Sequence, residues 1–273
     1  MGVNTKALKA RIRSVDSTMH ITKAMELVAS SKIKRARARM EEGRFYRAVL
    51  DEAFTDLASS DTLYSRVREG LPSLWIVIAG DRGLAGGYNS SIFKLAAAHI
   101  AGGDFVVPIG RRAVEYYSRR GFAIPEGCMY SVETLTSADC AAIALRVKEM
   151  YDGETIGAVR QISTKFVSML TQQAQMDTLL PLTRREGVKT SAVLYEPDPE
   201  SVLAAIIPEY LAGITYSAAC ESLASELAAR RSAMDTATKN ASAMIDDLNL
   251  KYNRARQSAI TQEITEIVAG SNA

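Results

Sequence analysis

Apolar residues recur over residues 8–57 at alternating steps of four and three: Leu8, Ile12, Val15, Met19, Thr22, Glu26, Ala29, Ile33, Ala36, Met40, Gly43, Arg47, Leu50, Phe54 and Leu57. The mean step is about 3.5, the period of a left-handed coiled coil rather than of a lone amphipathic helix. Ala29, Ala36 and Gly43 would let a partner helix approach closely. Glu26 and Arg47 interrupt the seam and are expected to lie at its edge, heads in solvent. A second seam of the same kind occupies the other end of the chain: Leu223, Leu227, Arg230, Met234, Ala237, Ala241, Met244, Leu248, Tyr252, Ala255 and Ala259. Residues 1–69 hold no proline, and after Pro208 the C-terminal run holds none. A helix from about Pro199 to Gly270 would reach about 100 Å at 1.5 Å per residue. A core of this size cannot cover that length, so other chains are expected to cover part of it. Ile260, Ile264, Ile267 and Val268 form an apolar stripe at the far end, where an external sleeve is expected.

Between the seams the pattern changes. Leu74–Ala79 is a short apolar run ending at Gly80, a buried strand. A glycine-rich loop, Gly80–Asn89, follows, and then a helix to about Ile100 capped by Ser90 or Ser91. Phe105–Gly110 is the next strand and Arg111–Arg120 the next helix. Thr136 to Asp139 opens a helix running to about Tyr151, and Thr155–Ser163 is a strand. This alternation implies an α/β layer with a largely parallel sheet. Lys165–Leu170 continues extended or turns. Gln172–Leu182 and Thr190–Tyr195 read as further strands, a hairpin or an antiparallel edge. Asp198 caps the final helix, Pro199 takes its first position, and Glu200 suits its positive end. The expected fold class is therefore α/β: N- and C-terminal helices forming a long antiparallel coiled coil, plus a central Rossmann-like α/β domain. The segments are 1–71, 72–197 and 198–273.

Charge sharpens this picture at one place. The net charge is only +2, yet up to Arg39 there are ten basic residues against two acids, Asp16 and Glu26. The first helix is a cationic surface suited to an acidic protein partner. The run Lys32–Arg39 has no interleaved aromatics and no nucleic-acid module around it, which argues against nucleic acid. Cys128, Cys140 and Cys220 fit no metal spacing and read as incidental thiols of a reducing compartment. The start of the chain lacks the apolar core of a signal peptide. No apolar run approaches the length of a membrane-spanning helix, so any membrane association is expected through partners.

Catalytic chemistry is not written in these residues. The glycine loop reads Gly80-x-x-Gly83-x-x-Gly86 rather than GxGxxG, and Gly110, Arg111 and Arg112 stand where a ribose-binding acid would be. No phosphate-binding GxxxxGK[ST] occurs. His20 and His99 read as surface or half-buried residues, and no acid cluster has metal-ligand spacing. No cofactor or metal is expected.

Several stretches, in one order along nearly the whole chain, resemble a single family. They are Ile21–Lys32 (ITKAMELVASSK), Asp81–Asn89 (DRGLAGGYN), Leu179–Leu182 (LLPL), Leu194–Pro199 (LYEPDP) and Tyr252–Val268 (YNRARQSAITQEITEIV). Together they are similar to the γ subunit of F-type ATP synthases. The resemblance implies a non-catalytic rotor that couples proton- or sodium-driven rotation of the c-ring to ATP synthesis or hydrolysis. Its tip would turn inside a hexameric ring of α and β subunits, and its foot would bind the ε subunit and the c-ring. A shaft of this kind must resist twisting and is expected to exclude internal proline. Lys23 and Met25 match the family's positions facing an acidic β segment. Arg256, Gln257, Thr261 and Glu263 match tip positions that contact β, and Tyr195 and Glu196 match the foot loop. Ala85 stands where some relatives carry cysteine, and the plastid type's cysteine-bearing insertion is missing. The resemblance further implies one copy per complex, a bacterial source, and a peripheral place on the cytoplasmic side of the inner membrane. Two other readings compete: a coiled-coil scaffold whose α/β domain binds a small ligand, and an enzyme using the glycine loop.

Overall fold

The computed structural model describes residues 5–57, 62–183, 196 and 198–271. The strand expected over Thr190–Tyr195 lies outside these residues. The elements are α1 (Thr5–Leu57), β1 (Ser73–Ile78), α2 (Tyr88–Ala97), β2 (Phe105–Ile109), α3 (Arg111–Ser118), α4 (Ser137–Asp152), β3 (Ala158–Phe166), β4 (Gln172–Leu180) and α5 (Pro199–Ser271). The chain divides into two compact units, Met1–Ala29 with Arg231–Ala273, and Ser30–Arg230.

The second unit is built on a four-stranded sheet in the order β2-β1-β3-β4. β1 lies parallel to both β2 and β3, and β4 closes the sheet as an antiparallel edge on β3. β1 is buried on both faces, which is why it reads as an unbroken apolar run. Leu74, Ile76 and Ile78 face a core shared with Ile143 and Val147 of α4 and Leu203, Ile207 and Ile214 of α5. Trp75 and Val77 face the opposite core with Tyr88 and Ile92 of α2 and Ala113 and Tyr117 of α3. Two helical layers thus cover the sheet. The Trp75 indole N–H donates to Asp104 at 2.8 Å, and Asp104 also accepts the Ser73 and Ala101 amides.

Start signals fix two helices. Thr136 Oγ1 accepts the Asp139 amide at 3.2 Å while Asp139 accepts the Thr136 amide at 2.8 Å, a reciprocal capping box at the start of α4. Asp198 accepts the Ser201 amide at 2.8 Å, with Pro199 at the first position of α5. α2 departs from expectation. It starts at Tyr88 behind Gly87, without a side-chain cap, and the Ser91 hydroxyl donates back to Gly87 O at 3.0 Å. Burial of Tyr88 in the core sets that start rather than a serine cap.

Within the second unit α1 and α5 run antiparallel. Phe54 stacks on Tyr210 with ring centroids 4.2 Å apart, and Ser217 Oγ donates to Gly43 O at 2.8 Å. A Cβ on Gly213 would stand 2.5 Å from the Tyr46 ring and 2.6 Å from Leu50 Cδ1, so those side chains pack onto α5 in the space that the glycine leaves. Ile33, Ala36 and Met40 of the first seam pack with Phe166, Ala224 and Leu227. Arg47 is not a free edge residue: it pairs with Asp177 at 3.0 Å and Asp51 at 3.7 Å. Pro208 lies inside α5, contrary to the expectation of a proline-free rod.

In the first unit the α1 seam continues through half-buried Ile12, Val15 and Met19 to buried Thr22 and Ala29. Thr22 Oγ1 meets Thr238 Oγ1 at 2.8 Å. The α5 seam departs from expectation at two positions: Met244 is 45% exposed with Ile245 half-buried in its place, and Ala259 is exposed, while Ala241, Leu248, Tyr252 and Ala255 follow the expected seam. One further correction concerns hydropathy. α5 contains a stretch long and apolar enough to cross a membrane, of mean hydropathy 1.4, and 61% of that stretch is buried inside the protein. Its apolarity is that of a core helix.

Candidate interaction surfaces

The residues matched to coupling roles fall on two stretches of the first unit. Lys23 is exposed on α1 and pairs with Glu26 at 3.0 Å, leaving the Glu26 side chain 13% exposed. The seam acid is therefore sheathed by its own neighbour. Met25 beside them is half-buried. Asp235, on α5, has its carboxyl held below the usual range by a hydrogen bond from Lys239, with the Lys23 charge adding to it.

Arg256, Gln257, Thr261 and Glu263 are all exposed on α5. Helical spacing sets them in two neighbouring rows, Arg256-Ile260-Glu263-Ile267 and Gln257-Thr261-Ile264-Val268. Together they frame the apolar stripe, whose Ile260, Ile264, Ile267 and Val268 are 43%, 56%, 71% and 53% exposed. Thr261 Oγ1 donates to Gln257 O at 2.9 Å, which ties the hydroxyl to its own helix. Asp235 and Arg256 are about 30 Å apart along α5 by helix rise. Lys23 and the residues Arg256–Glu263 therefore lie on two separate stretches of the first unit. An exposed apolar stripe framed by polar side chains is the texture of a surface that other protein covers. Glu196 is exposed at a bend just before Asp198, and Tyr195 lies outside the described residues.

In the second unit, the glycine loop holds α5. Asp81 accepts the amides of Arg111, Val132 and Glu133 at 2.9, 3.2 and 2.8 Å and the Ser131 hydroxyl at 2.7 Å. The Gly80 amide donates to Asn89 at 2.9 Å. Gly80 backs directly onto α5, where a Cβ would stand 2.7 Å from the Glu226 carboxylate carbon. Glu226 pairs with Arg230, and Arg230 also reaches the carbonyls of Arg82 and Gly83 at 3.5 and 3.4 Å. Burial pushes the Glu226 carboxyl above its usual range, with Arg230 opposing that shift. The loop's polar groups are thus spent on the protein itself, with two carboxylates beside it, an arrangement that disfavours a phosphate there.

Beside this loop lies a cavity of about 300 Å³ lined by Lys32, Arg35, Arg39, Asp81, Glu133 and Glu226 among others. Glu133 joins two of its walls by pairing with Lys32 of α1 and, at 3.6 Å, with Arg82 of the loop. Part of the basic run on α1 thus faces acids of its own chain. Sequence reading missed this use of Lys32, Glu133, Glu226 and Arg230. The one local signal was Glu226–Arg230, an acid–base pair at i, i+4 on an otherwise small-residue helix. His20 is exposed, 3.7 Å from Asp16. The described residues include no group of three or more His, Cys, Asp or Glu able to hold a metal.

The sequence model of a family described as ATP synthase matches residues 4–273. The chain is similar to the ATP synthase gamma chain of Ruminococcus albus, 43% identical over 279 residues that cover 98% of each chain. A chain of the central stalk and c-ring of the Tetrahymena thermophila mitochondrial ATP synthase has a TM-score of 0.60 at 26% identity, covering 80% of this chain and 99% of that one. A chain of the Euglena gracilis mitochondrial ATP synthase (OSCP, F1 and c-ring) has a TM-score of 0.73 at 14% identity over 98% and 93% of the two chains, a likeness of fold. With nearly every residue matched and that level of identity, the chain belongs to the ATP synthase gamma-chain family.

Proposed function

We propose that this chain is the central rotor subunit of an F-type ATP synthase, a non-catalytic part that couples ion-driven rotation to ATP synthesis and hydrolysis. Family membership carries this reading, and the framed apolar stripe at the end of α5 supports it physically. A shaft turning in a bearing needs apolar surface with few fixed ion pairs, and Ile260, Ile264, Ile267 and Val268 supply it. Arg256, Gln257, Thr261 and Glu263 would meet catalytic β subunits around that surface, while Lys23 and Met25 would meet an acidic β segment. Each orientation of the chain would present a different face to each β subunit. Differential contact of that kind is what lets rotation shift nucleotide affinity.

The partners in this reading are the α and β subunits, the ε subunit and the c-ring, the last two meeting Tyr195 and Glu196. The chain would sit at the cytoplasmic side of the inner membrane through those partners. Co-expression with the α and β subunits of the same source, followed by size-exclusion chromatography and an ATPase assay, tests it. The expected result is a complex with one copy of this chain and ATPase activity above that of α and β alone. A monodisperse, partner-free chain that leaves the activity unchanged would contradict it and favour the scaffold reading.

A further inference from the structure

β3 outruns its parallel neighbour. The last β1–β3 pair is Val77 with Ile162, yet β3 continues to Phe166. On that side the amides of Thr164 and Phe166 face no strand, and buried amides must find partners. Side chains of α5 take the strand's place: Thr164 N donates to Ser222 Oγ at 3.1 Å, and Phe166 N donates to Glu221 Oε1 at 2.9 Å. Arg44 of α1 completes the arrangement. Its Nη2 donates to Glu221 Oε1 at 2.6 Å and to Phe166 O at 2.6 Å. One peptide neighbourhood thus ties sheet, α1 and α5 in a closed ring of hydrogen bonds. Glu221, Ser222 and Phe166 are buried. Tyr88 Oη adds α2 by donating to Ser222 O at 3.0 Å.

We propose that Arg44, Glu221 and Ser222 are torque-bearing positioning residues, keying the sheet to the two long helices so that it cannot turn against them under load. The proposal rests on the rotor reading. Its physical basis is a contrast between contacts. Apolar packing is non-directional, so a helix can slip across it at modest cost. Hydrogen bonds weaken steeply when misaligned, so this ring must break for the sheet to rotate against α5. Charge-assisted bonds to a buried acid are the strongest of the kind.

The test uses the whole synthase, reconstituted in phospholipid vesicles with this chain as Arg44→Ala, Glu221→Ala, Glu221→Gln or Ser222→Ala. Glu221→Gln keeps an acceptor for the Phe166 amide. Hydrogen exchange at Phe166 in Glu221→Ala, and at Thr164 in Ser222→Ala, is expected to quicken by about tenfold to a hundredfold. The alanine variants are expected to assemble and to hydrolyse ATP without load at the wild-type rate. They should build a smaller ATP-driven ion gradient, with Glu221→Gln restoring much of it. Variants with faster exchange and a wild-type gradient at stall would overturn the proposal. If Glu221→Ala does not fold, Ser222→Ala carries the same test with a milder change. Failure of the wild-type chain to assemble with its partners would instead overturn the rotor reading, and this inference with it.

Discussion

Glu226 shows how a single residue's chemistry follows from its packing. Its carboxyl sits between Gly80 and Arg230, and burial raises its affinity for a proton above the ordinary 4.5. An acid that binds its proton more tightly when folded adds stability that is fully present below the unfolded value. That contribution is lost as pH rises through the folded value. Glu226→Gln removes the titration. In urea melts the variant should therefore gain on the wild type as pH rises above 4.5, and a pH-independent difference would contradict the account. Gly80→Ala forces a methyl group against the same carboxylate and should cost about 1–3 kcal/mol, typical of overpacking. Of the surroundings of Glu226, only the i, i+4 spacing to Arg230 was legible in the sequence. Its other partners, Gly80 and Arg82, lie far away in the chain, and no local spacing announces them. The same holds for Arg44, Phe166 and Glu221.

At the scale of elements, much could be read in advance. The α1 seam from Leu8 to Phe54 coincides with its buried and half-buried positions, because a single period fixes which side faces a partner. β1 and β2 were legible as short apolar runs, and α4 through its cap. Thr136→Ala should cost about 1 kcal/mol of stability in a thermal or urea melt, since it removes one half of the capping box. Where the α5 seam passes Ala241, both Met244 and Ile245 are apolar, so the pattern could not choose between them and the structure takes Ile245. Gly213 marks a place where the helices come close in the second unit. Gly213→Val should destabilise by about 1–3 kcal/mol in a urea melt, because the branched side chain displaces the Tyr46 ring and Leu50 from the space beside the glycine. Pro208 within α5 shows the limit of reasoning from function to sequence. A proline tolerated near a helix start, its neighbours Leu203, Ile207 and Leu211 buried in the core, does not stop the helix.

At the scale of the molecule, the exposed stripe of α5 and the basic face of α1 were both visible in composition. What the stripe meets was legible only through resemblance, since an apolar surface does not name its cover. The structure adds that part of the basic run is answered within the chain, by Glu133 for Lys32, a half-exposed pair of small energetic worth. The central claim is that this chain turns inside its partners. Cys128, Cys140 and Cys220 are buried, and burial pushes the Cys140 thiol up to about 12, so a cysteine introduced at exposed Glu126 takes a label selectively. The decisive measurement immobilises the α/β ring, attaches a bead to Glu126→Cys of this chain, and records the bead on addition of ATP. Sustained rotation in one direction, stopping when ATP is withdrawn, is the result the account predicts. A bead that stays fixed or merely fluctuates while the same complex hydrolyses ATP would contradict it.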